Sequence, residues 1–118
     1  MAHLAQQIED LRILMLEPPW VDFVRLTRMV DSMADSPELE VLNNDEIRAF
    51  QGFRITLHRS AQMEPDMMVK HVLAHWRGSN GVVEQAIRKL SIGPEAVACI
   101  GRFRHGPYTD QVSYGTLT

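Results

Sequence analysis

Five of the six prolines in this 118-residue chain stand where an apolar stretch of helical period begins or ends. Proline has no backbone N–H to donate and its φ is fixed, so it fits the first turn of a helix and breaks one anywhere later. Pro18-Pro19 closes a stretch over residues 4–16 and opens another over about residues 19–33. Ser36-Pro37-Glu38 supplies a cap, an N1 proline and an early acid for a short helix. Pro65-Asp66 and Pro94-Glu95 start two more. A chain punctuated in this way folds as several short helices.

The apolar positions agree. Leu4, Ile8, Leu11 and Met15 share one helix face, and Ile13, Leu14 and Leu16 widen it until the last turn is apolar nearly all round. Trp20, Phe23, Val24, Thr27 and Val30 line one side of the next stretch, with Leu26, Met29 and Met33 beside them. Residues 31–37 read as a loop. Asn44-Asp45-Glu46 is a helix start, with acids at the positive end of the dipole, and Ile47, Phe50, Arg54 and Leu57 follow at helical spacing. Phe53, Ile55 and Leu57 also alternate as in a strand. Helix is the preferred reading, because a strand needs a partner and residues 112–117 are the only other β-like stretch. Met68, Val69, Val72 and Trp76 form the buried face of the helix begun at Pro65, which Gly78 should end in a left-handed cap. Ser79 can cap the next helix, with Val83, Ala86, Ile87 and Leu90 inward, and the last carries Val97, Ile100 and Phe103. The expected fold is all-α, a small single-domain bundle of five to six helices over residues 1–105, dimeric, with a peripheral or partly disordered tail over residues 106–118.

Composition narrows the class. Hydrophobic residues at 45% and charged residues at 23% are ordinary globular values. The lone cysteine, Cys99, leaves no internal disulfide and no cysteine-based zinc site. No apolar run approaches the roughly 20 residues of a membrane span, and residues 1–7 lack the pattern of a signal peptide. The expectation is a cytoplasmic protein. The net charge of −3 divides unevenly: residues 1–67 hold six Arg and twelve acids, residues 68–118 six Lys+Arg and three acids. A basic rear half keeps an anionic partner in view.

The most specific local pattern is residues 86–103, AIRKLSIGPEAVACIGRF. Two short helices joined by a turn of three or four residues, with Ile87, Leu90, Ile92, Val97 and Ile100 as apolar contacts, resemble the helix-turn-helix of bacterial regulators. Trp20-Val-Asp-Phe-Val and Asn44-Asp-Glu-Ile-Arg-Ala-Phe add a likeness to the helical frame of Trp-repressor-like proteins. The resemblance implies a DNA-binding transcriptional regulator in which Arg88, Lys89, Arg102 and Arg104 meet phosphates. The second helix, however, would expose Pro94, Glu95, Ala98, Cys99 and Arg102. Of these only Arg102 reads bases well, and Glu95 repels phosphate.

Other chemistry is sparser. His71 and His75, one turn apart, have a spacing that can hold zinc, but no Glu follows His71 and a third ligand would have to come from His58, Asp66, Cys99 or His105. Cys99 with a histidine could form a nucleophile pair, although a free cysteine between Ala98 and Ile100 is more often buried. No phosphate loop, nucleophile elbow or acidic metal motif is present. The expectation is no catalytic residue, no cofactor and no metal.

The remaining signal is apolar surface beyond what one small core needs, concentrated in the first stretch and reinforced by seven methionines. It points to an interface. The sequence reading is a non-enzymatic bacterial regulatory protein, homodimeric, that binds a protein partner such as a transcription factor and modulates it as an anti-activator does. Ile8, Leu11, Leu14, Met15 and Trp20 are the anchors.

Overall fold

The computed structural model describes residues 18–105. These form five α-helices and one 3-10 helix: α1 (Pro18–Met33), the 3-10 helix (Pro37–Val41), α2 (Asn44–Ser60), α3 (Pro65–Gly78), α4 (Val82–Arg88) and α5 (Gly93–His105). No strand occurs among the described residues, so residues 53–58 are helical, within α2. The stretch over residues 4–16 and the tail over residues 106–118 lie outside the described residues.

The helix starts follow the local chemistry. Ser36 caps the 3-10 helix by accepting from the Glu38 N–H at 3.1 Å, with Pro37 at the first position. Asn43 heads α2 in a reciprocal capping box. Its side chain accepts from the Glu46 N–H at 2.8 Å, and the Glu46 carboxylate accepts from the Asn43 N–H at 2.9 Å. Such a box satisfies two otherwise orphaned donors. α3 opens on Pro65 without a side-chain cap.

Two expectations are corrected. α1 ends at Met33, where its apolar stretch also ends, so residues 31–33 belong to the helix and the loop begins after them rather than at residue 31. Asp31 stays helical there, with its carboxylate accepting from Arg54 Nε at 2.7 Å and hydrogen-bonded to His58 Nε2 at 2.8 Å, both on α2. Gly78 remains in α3 as its last residue. The left-handed conformation falls instead on Asn80, with φ 54°, and Gly81, with φ 85°. Asn and Gly are the residues that adopt it at least cost. Ser79 serves both neighbours: its hydroxyl donates to the Trp76 carbonyl at 2.8 Å and accepts from the Val83 N–H at 3.2 Å.

The core draws on all five helices. Phe23, Leu26 and Val30 come from α1, Phe50, Phe53 and Leu57 from α2, Met68, Val72 and Trp76 from α3, Val83, Ala86 and Ile87 from α4, and Ala96, Cys99, Ile100 and Phe103 from α5. Leu26, rather than Thr27, occupies the centre of the α1 face; the Thr27 hydroxyl turns back to the Phe23 carbonyl at 2.9 Å. Phe53 meets Trp76 edge-on with ring centroids 5.5 Å apart, a favoured aromatic geometry.

Candidate functional site

The segment that resembles a helix-turn-helix is a real α4–turn–α5 hairpin, with residues 89–92 as its turn. Leu90 donates to the Ile87 carbonyl and accepts from Gly93, at 3.0 and 2.9 Å, so the turn is wound tightly. Ala86, Ile87, Leu90, Ala96 and Ile100 are buried along it. Gly93 is needed where it stands: a Cβ there would lie 2.9 Å from the Ile87 carbonyl oxygen and 3.0 Å from the Arg88 Cα. These are backbone atoms, and they cannot step aside as a side-chain tip would.

Two carboxylates from earlier in the chain grip this turn. Glu38 accepts from the Ser91 N–H at 2.8 Å and from the Ser91 hydroxyl at 2.7 Å. Glu46, buried at the start of α2, accepts from Lys89 Nζ at 3.0 Å on Oε1, with Nζ 2.8 Å from Oε2. The Lys89 ammonium and the Asn43 N–H hold the Glu46 carboxyl below its usual range.

The four basic residues picked out in the sequence are therefore not equivalent. Arg88 is exposed and bonds Glu84 one turn back at 2.9 Å. Lys89 neutralises Glu46. Arg102 makes a two-pronged contact with Asp22 on α1, from Nε at 2.6 Å and Nη2 at 2.8 Å. Arg104 is half-buried. On α5, Pro94, Glu95 and Ala98 are exposed as expected, but Cys99 is wholly buried and Arg102 only partly exposed.

Asp22 is the most consequential residue that the sequence reading passed over. It is 2% exposed and also lies 3.4 Å from Arg25 and 3.7 Å from the Cys99 thiol. The signal was present, since Asp22 stands one and two turns ahead of Leu26 and Val30 on the inward face. Burial, and after it the negative charge of Asp22, push the Cys99 thiol up to about 11. At neutral pH it carries almost no thiolate, which is the reactive form.

The histidines also have structural partners. His71 Nδ1 lies 2.6 Å from Ser60 Oγ, and His75 Nδ1 lies 3.1 Å from Thr56 Oγ1. The Ser60 hydroxyl already donates to the Thr56 carbonyl at 2.7 Å. Its single proton is thereby used, so Nδ1 of His71 is the donor and carries the proton. The two pairs rivet α2 to α3. Desolvation, with the neighbouring His71 second, lowers the pKa of His75 below its ordinary value. Among the described residues no group of three His, Cys, Asp or Glu is placed to hold a metal ion.

Of the anchors picked out for partner binding, Ile8, Leu11, Leu14 and Met15 lie outside the described residues. Trp20 lies in the first turn of α1, half-buried and packed edge-on against Phe23 with centroids 5.5 Å apart. No described helix is long and apolar enough to cross a membrane. Comparison with protein-family models, curated proteins and solved structures found no match.

Proposed function

We propose that this chain is a non-enzymatic regulatory protein that works by protein–protein contact, presenting the apolar stripe of residues 4–16 and Trp20 to a partner. The observation that carries the choice is how the hairpin's cations are used. Lys89 and Arg102 neutralise buried carboxylates of the same chain, so moving either to a phosphate would strand Glu46 or Asp22 without its main counter-charge. A charge left buried and unpaired is costly. The side chains with chemical potential also have structural roles: the Cys99 thiol is buried and protonated, and His71 and His75 join two helices.

A partner that lays a groove over Ile8, Leu11, Leu14 and Met15 would gain most from apolar burial, with Trp20 at the rim as an aromatic anchor. In its concrete form the reading is a bacterial cytoplasmic homodimer that masks a transcription factor as an anti-activator does. This last step rests on analogy with small helical regulators.

The second reading keeps the hairpin as a DNA-binding helix-turn-helix, favoured by its four-residue turn and the close helix approach at Gly93. Arg88, Lys89, Arg102 and Arg104 would carry it. Titration of labelled duplex DNA with the full chain at two salt concentrations separates the two. The protein-contact reading expects no binding even at low salt. Sub-micromolar binding with a steep salt dependence overturns it in favour of the DNA reading.

A further inference from the structure

The turn from α3 to α4 holds the one Asn-Gly pair of the chain, Asn80-Gly81. Both residues are exposed, and both are left-handed, with φ 54° and 85°. The chain is held on either side of the peptide group that joins them: the Asn80 N–H donates to the Arg77 carbonyl at 3.1 Å, and the Gly81 carbonyl accepts from the Gln85 N–H at 2.9 Å. The joining group itself is not held. Among the described residues no hydrogen bond uses the Gly81 N–H or the Asn80 side chain. Nothing stands within 4 Å of where a Gly81 Cβ would lie.

These are the conditions under which an asparagine amide reacts with its own main chain. A solvent base takes the Gly81 amide proton. The nitrogen then attacks Asn80 Cγ, an N–Cγ bond forms, the Cγ–Nδ2 bond breaks, and Nδ2 leaves as ammonia after taking up a proton. The product is a five-membered succinimide. Water adds to either of its carbonyls. Opening at Cγ gives aspartate, and opening at the main-chain carbonyl gives isoaspartate, in which the chain runs through Cβ and Cγ. The ring closes only if the bond between the Asn80 Cα and carbonyl turns the Gly81 nitrogen towards Cγ. Glycine permits that turn because it has no Cβ and tolerates backbone conformations closed to other residues. The chain's other two asparagines lack these conditions. Asn43 is held in the capping box with Glu46, and Asn44 lies in α2 and is followed by Asp45, whose Cβ crowds the attacking nitrogen.

We propose that Asn80-Gly81 is a self-modification site, where the folded protein converts its own asparagine to isoaspartate and aspartate and so loosens the start of α4 with age. Two hydrogen bonds bridge the pair. The Val82 N–H donates to the Ser79 carbonyl at 3.1 Å, and the Val83 N–H donates to the Ser79 hydroxyl at 3.2 Å. Isoaspartate inserts one more main-chain atom inside both bridges, so neither keeps its geometry. Val83, next to the site, is fully buried, and α4 packs against α2 and α5. The change therefore reaches the core, although the reacting group lies at the surface. It does not depend on the role of residues 4–16.

The test incubates the full folded chain at pH 8, beside a synthetic peptide of residues 78–88. Trypsin cuts after Arg77 and Arg88 and so isolates the same segment from the protein. Mass spectrometry reads the change from amide to acid, ammonia release counts it, and methyl transfer from S-adenosylmethionine by an isoaspartyl methyltransferase detects the isoaspartate. Asn80 should convert at a rate within about tenfold of the free peptide, the slowing expected where a loop opens at little cost. Isoaspartate should exceed aspartate, the rate should fall at pH 6, and Asn43 and Asn44 should stay intact. The converted protein should melt about 3 °C or more lower, the shift that roughly one lost hydrogen bond gives in a domain of this size. Asn80→Gly keeps the left-handed conformation and removes the amide, so its melting temperature should not change on incubation. The proposal is overturned by any of three results: Asn80 intact after the free peptide has converted, conversion that only follows the unfolded fraction as denaturant is added, or a melting temperature that does not fall on conversion or falls equally in Asn80→Gly.

Discussion

Arg102 grips Asp22 with two hydrogen bonds, from Nε at 2.6 Å and Nη2 at 2.8 Å, across 80 residues of sequence. The contact ties the last described helix to the first and buries the carboxylate almost completely while the guanidinium remains partly open to solvent. Removing the cation alone is therefore worse than removing both groups. Arg102→Ala should lower the unfolding free energy by about 3 kcal/mol, the low end for a broken buried pair because Arg102 is partly exposed. Asp22→Asn with Arg102→Ala should recover part of that loss. Urea denaturation of the two variants measures both effects.

Gly93→Ala forces a methyl group to within 2.9 Å of a backbone oxygen and 3.0 Å of a backbone carbon. The hairpin must open slightly, at a cost of about 1–3 kcal/mol, typical of overpacking. Gly78→Ala is the matched control, since its Cβ meets open space. There the better helix propensity of alanine should leave stability unchanged or raise it by up to about 1 kcal/mol. Opposite shifts in melting temperature are the expected outcome.

The lowered pKa of His75 makes stability depend on pH in a known direction. Its pKa in the folded chain lies below the ordinary value of 6.5, so on acidification the unfolded chain takes up the proton first. Its contribution is present in full above pH 6.5 and is lost as pH falls through the folded value. A single such group can tilt stability by at most about 1.4 kcal/mol per pH unit. Denaturation between pH 7.5 and 5 should show a decline that flattens in His75→Gln. Asp31 and Glu46 act at lower pH. Burial pushes the Asp31 carboxyl up, but its hydrogen bonds from Arg54 and His58 outweigh this and bring it below the usual 3.8. Glu46 likewise lies below 4.5, so both contributions are lost only in more acid solution.

Cys99 should be nearly inert in the native protein. Its thiol is buried and pushed up to about 11, so a thiol reagent at pH 8 meets neither an open path nor a thiolate. One thiol per chain should become reactive on adding denaturant, along the same transition that unfolding follows. Rapid labelling without denaturant would contradict the buried placement.

Most of the fold was legible because its signals are local. Pro37, Pro65 and Pro94, the Ser36 cap and the apolar spacing of α2 to α5 each act within a few residues, and each marks a helix that the structure contains. Residues 78–81 show where that locality ends. Gly-Ser-Asn-Gly offers several turn formers in a row, and nothing local to the four decides that the left-handed conformation falls on Asn80 and Gly81 rather than on Gly78. The site was less legible for the same reason. Nothing near Lys89, Ser91 or Arg102 in sequence announces Glu46, Glu38 or Asp22 as partners, because those contacts span 43, 53 and 80 residues. Of the cations read from the sequence as phosphate contacts, Lys89 and Arg102 meet carboxylates that only the closed chain brings to them.

The central claim is that this chain acts by binding a protein through the apolar stripe of residues 4–16. Affinity capture from the native cell, with the wild-type chain and a Leu11→Asp variant compared by quantitative mass spectrometry, tests it most directly. The variant must first match the wild type in circular dichroism and melting temperature. The account predicts one partner recovered in near-stoichiometric amount by the wild type and lost with the variant. Recovery of the same partner in the same amount by both would contradict it.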